Sequence, residues 1–246
     1  MALVEPVPGA PAAVADLGDE RALVVADYHA GIELAFRYEQ GIEVRSRADR
    51  RREDVLGLVA ETDPDRVVFL GDLGHDIGRP AREERTELQD LVDALPVPVT
   101  LVKGNHDGDV EDVLDVAVTP GSGVRLGDVG FTHGHTWPDP EVLAADVVCM
   151  GHEHPAVRLE DAVGGSQVER VWLRGSLRAA PFEEHAGADV SVGDELVVFP
   201  AFNDLTSGTW VNVPGQGFLA PFLPDALPDG QAYLLDGTRL GPYAGV

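Results

Sequence analysis

Lysine is almost missing from this chain. Of 246 residues only Lys103 is a lysine, and the other 17 cationic side chains are arginines. Against these 18 cations stand 43 aspartates and glutamates, a formal net charge of −25. In dilute buffer so acidic a surface repels nucleic acid, because binding it needs cations that neutralise phosphates and release counterions. At about 1 M salt the Debye length falls to roughly 3 Å and the repulsion is largely screened. Surplus carboxylate with almost no lysine therefore suits a halophilic protein, and a merely acidic protein of an ordinary cytoplasm is the blander alternative. Either way the charge concerns solubility rather than fold. Cysteine is also scarce. Cys149 stands alone, which excludes an intrachain disulfide, and within the apolar run 146–150 it reads as a small buried hydrophobe rather than a nucleophile. No apolar run reaches the roughly 20 residues needed to span a bilayer. The opening MALVEPVPGAPAAVADLGDE has neither a basic start nor a long apolar stretch. The expectation is a cytoplasmic protein with no membrane partner. Hydrophobic residues are plentiful at 44%, enough for a sizeable core, and the length suits one α/β domain.

Short apolar runs alternate with helical patterns in the first half. Residues 22–26, 66–70 and 98–102 read as buried strands. Residues 46–61 read as a helix with Ala48, Val55, Leu56 and Val59 on one face. Residues 80–95 read as another, with Pro80 in its first turn and Leu88, Leu91, Val92 and Leu95 at 3.6-residue spacing. Such alternation predicts βαβ units and a largely parallel sheet. From residue 124 the pattern changes. Residues 124–126, 129–132, 147–150, 156–160, 167–173 and 196–200 are short strands set apart by Gly, Pro and Asp, and only 139–145 looks helical. A second, more antiparallel sheet follows. Beyond Thr206 the chain reads as loops and a few edge strands. The expected fold class is α/β, a four-layer α/β/β/α sandwich of two mixed sheets. It forms a single domain over 1–246, with a motif core at 22–155 and a β-rich extension at 156–246.

Seven of the eight histidines lie in short polar motifs, most of them directly after an apolar strand; His185 is the exception and reads as a surface loop residue. In α/β sheets ligands bind beyond the carboxyl ends of the strands, so these motifs should converge. Asp27 and His29 form D-x-H, and in an extended segment both side chains would face one way. Asp72 follows Gly71 at the end of the next strand, and a carboxylate can bridge two cations about 3.5–4 Å apart. Either motif alone is usually only a turn. Gly104-Asn105-His106-Asp107 is more specific, because a plain loop rarely combines all four. His133 ends a further strand, and His152 and His154 repeat the i, i+2 spacing after the next. Two same-side histidines behind a buried strand point to a metal site. Nitrogen and oxygen donors without thiolate suit Mn, Fe or Zn better than Ca.

The ordered series from Asp27 to His154, D-x-H, G-D, G-N-H-D, H and G-H-x-H, resembles that of the calcineurin-like metallophosphoesterase superfamily. The resemblance implies two divalent metal ions, with Mn preferred and Fe or Zn as alternatives. One would be held by Asp27, His29, Asp72 and His154, the other by Asp72, Asn105, His133 and His152. His106 would contact the phosphate and assist the leaving group. Two divalent ions carry +4 and the carboxylates Asp27 and Asp72 only −2. Charge remains to hold a bridging hydroxide and a phosphate oxyanion.

The segment from Asp27 to Glu33, His75 in GDLGH, the HGH of residues 133–135 and PAFNDLTSGTWVN at 200–212 are similar to the archaeal SbcD-related phosphoesterases, relatives of the DNA-ligase-associated phosphoesterases. Hydrolysis of a phosphodiester in nucleic acid or nucleotides is the implied function. A phosphomonoesterase or protein phosphatase of the same fold shares every metal ligand. A non-catalytic binding module should have lost His106 or a bridging ligand, and none is missing. Nothing points to a particular protein partner. Outside the ligand set, His75 and His135 read as hydrogen-bond partners or solvated loop residues. Tyr28 should pack under the site. Glu153 should face away from the metals, solvated or bonded to a ligand. Arg174 and Arg178 read as surface ion pairs rather than a phosphate clamp.

Overall fold

A computed structural model of the chain describes residues 2–160 and 164–246. The elements run β1 (Val4–Pro6), β2 (Ala12–Asp16), β3 (Arg21–Val25), α1 (Ile32–Gln40), α2 (Ala48–Thr62), β4 (Arg66–Phe69), α3 (Arg82–Ala94), β5 (Val99–Val102), β6 (Ala117–Thr119), β7 (Val124–Leu126), β8 (Val129–Thr132), α4 (Pro140–Leu143), β9 (Val147–Met150), β10 (Ala156–Glu160), β11 (Ser166–Ser176), α5 (Ala180–Ala186), β12 (Glu195–Val198), β13 (Gln231–Leu234) and β14 (Arg239–Pro242). The first sheet has the order β1-β2-β3-β4-β5-β6; β1 to β3 pair antiparallel and β3 to β6 parallel. The second has the order β14-β13-β11-β12-β9-β8-β7, with β10 alongside β11. Only β8–β9 and β9–β12 are parallel pairs there.

Alternation along the strands creates the layers. Val24, Val68 and Val102 face Phe131, Cys149, Trp172 and Val197 between the sheets. Leu23, Val25, Phe69 and Leu101 turn outward onto Val55, Leu58 and Val59 of α2 and Leu88 and Leu91 of α3. On the other side Val148, Met150, Leu173 and Val198 pack on Val142 and Leu143 of α4, Phe182 of α5 and Phe222. Three apolar interfaces separate four layers, the expected α/β/β/α sandwich of two mixed sheets.

Several details depart from expectation. The hairpin β1–β2 extends the first sheet, and its Ala-rich Ala12–Asp16 strand carries little β propensity to announce it. Helix α3 starts at Arg82, so Pro80 precedes it. On α2 the buried positions are Arg51, Val55, Leu58 and Val59 rather than Ala48 and Leu56. Arg51 is tolerated inside because its guanidinium meets Glu33 at 2.7 Å and Glu87 at 2.7 Å. The seven-residue α5 went unsignalled, and it carries His185 in its last turn, where the ring lies flat on Trp137 at 3.9 Å.

Candidate metal centre and active site

The predicted ligands stand on loops at the carboxyl ends of strands with parallel partners: Asp27 and His29 after β3, Asp72 after β4, Asn105 and His106 after β5, His133 after β8, His152 and His154 after β9. The D-x-H and H-x-H segments are not extended, contrary to the sequence expectation. Asp27 (φ 57°), His29 (φ 48°), Asp72 (φ 48°), His152 (φ 70°) and His154 (φ 45°) are all left-handed, and among the described residues Asp63 is the only other non-glycine at positive φ. Each such residue costs on the order of 1–3 kcal/mol unless its surroundings enforce it. The enforcement is visible. His29 N donates to Asp72 O at 2.9 Å and Ala30 N to Leu73 O at 2.9 Å, so the first two loops are zipped together. His152 N donates to Asp27 Oδ2 at 3.1 Å, joining the two sheets. Close approach also demands glycine: a Cβ on Gly104 would lie 2.2 Å from Asp72 Oδ1, and one on Gly71 2.3 Å from His133 Nδ1.

The donor atoms converge in two groups. Those of Asp27, His29 and His154 lie within 4.8 Å of one another, as do those of Asp72, His133 and His152. Asp72 Oδ2 is 3.3 Å from His133 Nε2 and 3.9 Å from His29 Nε2, so one carboxylate reaches both groups. Asn105 Oδ1 lies 3.2 Å from His133 Nε2. A third group, His29 with His75 and His106, shares His29 with the first. Backbone carbonyls orient the rings. His133 Nδ1 donates to Leu70 O at 2.6 Å, His154 Nδ1 to Ser207 O at 2.8 Å, and His106 Nδ1 to His75 O. A carbonyl can only accept, so in each neutral ring the proton sits on Nδ1 and Nε2 presents its lone pair to the site. Metal-binding histidines are commonly fixed this way.

The electrostatics are those of a site built around positive charge. Burial raises the Asp27 and Asp72 carboxyls, but the facing imidazoles, His154 and His133 for Asp27 and His133 and His29 for Asp72, outweigh it and hold both well below the usual carboxylate range. Burial pushes His29 down to about 3 and His152 down to about 4. Burial also opposes charge on His133, yet Asp72 and Asp27 raise it to about 9. Two buried anionic carboxylates thus face imidazole rings, with His133 Nε2 3.3 Å from Asp72 Oδ2 and His154 Nε2 3.3 Å from Asp27 Oδ1. That donor set fits divalent cations of the Mn, Fe or Zn kind.

Several supporting residues carried no assignment from sequence. Asp107 is buried; its Oδ1 accepts from Leu73 N at 2.9 Å and Gly74 N at 3.2 Å, and its Oδ2 from Gly104 N at 2.8 Å. It locks the Asp72 loop to the Asn105 loop, and its place in the G-N-H-D motif was the available signal. Asn203 Nδ2 donates to Tyr28 O at 3.0 Å and His29 O at 3.2 Å, and its signal was the 200–212 segment. Tyr28 packs beneath, stacked on Phe202 at 6.0 Å. Glu153 faces away from the ligands as expected but is fully buried and not solvated. His75 Nδ1 lies 3.3 Å from His29 Nδ1, and its ring stacks on His106 at 5.4 Å. The His135 ring is 5.3 Å from that of His133. Both belong to the site wall and are not solvated loop residues. Arg174 pairs with Glu195 at 2.8 Å and Arg178 with Asp229 at 2.7 Å, as ion pairs.

The family model for calcineurin-like phosphoesterases matches residues 20–144, about half the chain and every motif from Asp27 to His133. The chain belongs to that family. It is accordingly a metal-dependent hydrolase of ester bonds. No curated protein matches the sequence. Among solved structures, the Pseudomonas putida nuclease MPE aligns over all of its own length and 96% of this chain, at 21% identity and a TM-score of 0.58. The E. coli phosphoesterase Yfce aligns over 57% of this chain and 74% of its own at 23% identity and TM-score 0.35. Vps29 of Entamoeba histolytica, complexed with zinc, aligns over 76% and 79% at 17% identity and TM-score 0.33. The first likeness carries the shared fold through the C-terminal strands beyond the family match. Among the described residues no helix of this phosphoesterase is long and apolar enough to cross a membrane.

Proposed function

We propose that this phosphoesterase hydrolyses phosphodiesters of nucleic acid or nucleotides, using two divalent cations, Mn by preference. Asp27, His29, Asp72 and His154 would hold one, and Asp72, Asn105, His133 and His152 the other. The position of Asp72 carries the reading, since a single buried carboxylate stands between two separate ligand groups. When bound, the cations would acidify water enough to make it a nucleophile near neutral pH. The chain supplies the rest. His106 lies outside both of these ligand groups, part-exposed, with Nε2 4.0 Å from Asp72 Oδ2. Its Nδ1 is held by His75 O and its backbone N donates to Asp72 Oδ1 at 2.9 Å, so the ring is aimed. From there Nε2, when the ring carries a second proton as imidazolium, would contact a phosphate oxygen and hand that proton to the leaving oxygen, leaving the neutral ring with its Nδ1 proton on His75 O.

Diesters are favoured over monoesters because the single lysine is not free to clamp a second phosphate charge. Lys103, the one lysine, is taken by Glu111 at 2.7 Å. The fold likeness to a nuclease supports nucleic acid among the diesters. The charge of −25 supports work in concentrated salt. Elemental analysis of Mn-loaded protein should give two ions per chain, and Asp72→Ala should release at least one. One ion or none in the wild type sinks the two-cation reading. Under identical Mn and KCl, kcat/KM should favour a bis-aryl phosphodiester over the matching monoester. A monoester preference of about tenfold, some 1.4 kcal/mol in transition-state binding, overturns the diester assignment.

A further inference from the structure

The unpaired cations of this acidic chain are not scattered. Of its 17 arginines, nine stand within 4.0 Å of a described carboxylate. Five of the other eight, Arg37, Arg45, Arg79, Arg82 and Arg85, sit on two short segments, residues 37–45 and 79–85. Each segment follows a loop of the site in sequence, the first after His29 and the second after His75, and Arg37 and Val44 of the first share a cavity with Arg82 and Glu83 of the second. Helix α1 begins three residues after His29, Arg79 comes four residues after His75, and the charge of Glu39 on α1 is felt at His75. Arg37 and Arg82 line one cavity of about 400 Å³ between α1, α2 and α3.

Apolar side chains are exposed in and beside the same segments. Ile77 is 80% exposed, Tyr38 75% and Ile42 51%, and among the described residues only Val168 and Leu219 are comparable elsewhere. Water-facing rings and aliphatics interleaved with free guanidinium groups are the pairing that a polynucleotide uses. Guanidinium forks take phosphate oxygens bidentately, and an exposed ring stacks on a base. A duplex hides its base faces, so only an unpaired strand can use Tyr38.

We propose that a single strand of nucleic acid, held at its scissile phosphate by the metal site, runs over α1 and residues 75–85, with its phosphates on Arg37, Arg45, Arg79 and Arg82 and a base stacked on Tyr38. The proposal rests on the phosphodiesterase reading above and adds where the flanking strand lies. A bis-aryl phosphodiester is too small to reach this surface, which separates the two claims.

The test compares the Mn-loaded wild type with two variants, Arg37→Ala/Arg45→Ala/Arg79→Ala and Tyr38→Ala. Each is assayed on the bis-aryl diester and on a single strand of about ten nucleotides, a length within the usual site sizes, across a KCl series. All four positions are exposed, and activity on the small diester together with metal content reports that the variants are folded. The triple variant should keep its rate on the small diester and lose about tenfold or more on the strand. Its log(kcat/KM) against log[KCl] should flatten by about 2, at roughly 0.7 for each lost phosphate contact. Tyr38→Ala should lose about tenfold on the strand with little change in salt dependence. If either variant cleaves the strand like the wild type, or if both substrates fall together, the proposal is overturned and the phosphodiesterase reading stands. A wild type that hydrolyses the small diester but no strand has the same consequence. A wild type that hydrolyses neither overturns both.

Discussion

Glu153→Ala tests how the site is held from behind. Glu153 lies between His152 and His154, turned inward and fully buried. Its Oε1 accepts from Leu219 N at 2.9 Å and Ala220 N at 2.6 Å, and its Oε2 from Thr209 Oγ1 at 3.1 Å. One carboxylate thus fastens two distant stretches of the C-terminal chain to the loop that carries two ligands. Alanine leaves the Ala220 amide and the Thr209 hydroxyl buried without partners, at about 1–3 kcal/mol each. The Leu219 amide sits on an exposed residue and water can reach it. The vacated space adds about 1 kcal/mol. Burial raises the Glu153 carboxyl, so removing the charge relieves part of that cost. The net loss is about 2–6 kcal/mol, a large part of the 5–15 kcal/mol typical of a domain.

Denaturant unfolding in Mn and KCl measures that loss, with Glu153→Gln as the companion. Glutamine keeps an oxygen for the amides and gives Thr209 an N–H to accept, so about 1–2 kcal/mol should go. The alanine variant should also bind metal more weakly, because Ser207 O, which orients His154, belongs to the stretch that is released. An alanine variant within about 1 kcal/mol of wild type, with full metal content, refutes this account of the loop.

His106→Ala should retain both metals and lose about 10²–10⁴-fold in rate; loss of metal instead would show that His106 is a ligand. Burial lifts the Glu84 carboxyl from 4.5 to about 7, so the folded state holds that proton more tightly than the unfolded chain. Its contribution to stability is complete below about pH 4.5 and lost as pH rises through about 7. Glu84→Gln should accordingly gain on wild type by on the order of 2 kcal/mol between about pH 5 and pH 8, and a pH-independent difference in unfolding free energy contradicts it. Circular dichroism across a KCl series should show a fold that weakens in dilute buffer; a cooperative melt above about 60 °C without salt speaks against the halophilic reading.

The residues that the structure gathers at the site were legible because chemistry restricts them. Few side chains can ligate a cation, and they must follow strands to meet one another. Their backbone was not legible. An i, i+2 spacing brings Asp27 to His29 and His152 to His154, but through left-handed turns rather than extended chain. Asp and His are tolerated at such φ without declaring it in the sequence. Asp107 and Asn203 escaped for another reason: their partners are backbone groups, which every sequence has, so nothing in a residue pattern marks which backbone group a side chain will meet. Arg51 shows the same limit. A charged side chain is ordinarily left to solvent, and only the three-dimensional meeting with Glu33 and Glu87 allows this one on α2 to be buried.

The loops of the two sheets meet at the site, and each proposed metal group draws on both. Asp27 and His29 come from the first sheet and His154 from the second; Asp72 comes from the first and His133 and His152 from the second. The hydrogen bonds follow the same division. Asp107 ties loops within the first sheet, while His152 N to Asp27 and His133 Nδ1 to Leu70 O cross between the sheets. In these two cross-sheet contacts the donors come from the second sheet and the acceptors from the first. A cation bound to either group would add a bond of the crossing kind. Whatever binds the folded state alone stabilises it by mass action, so metal affinity and the union of the two sheets become one quantity. The left-handed residues fit that arrangement. Five strained positions lie where the loops of the two sheets meet, and the contacts that enforce the strain are the same ones that place the donor atoms.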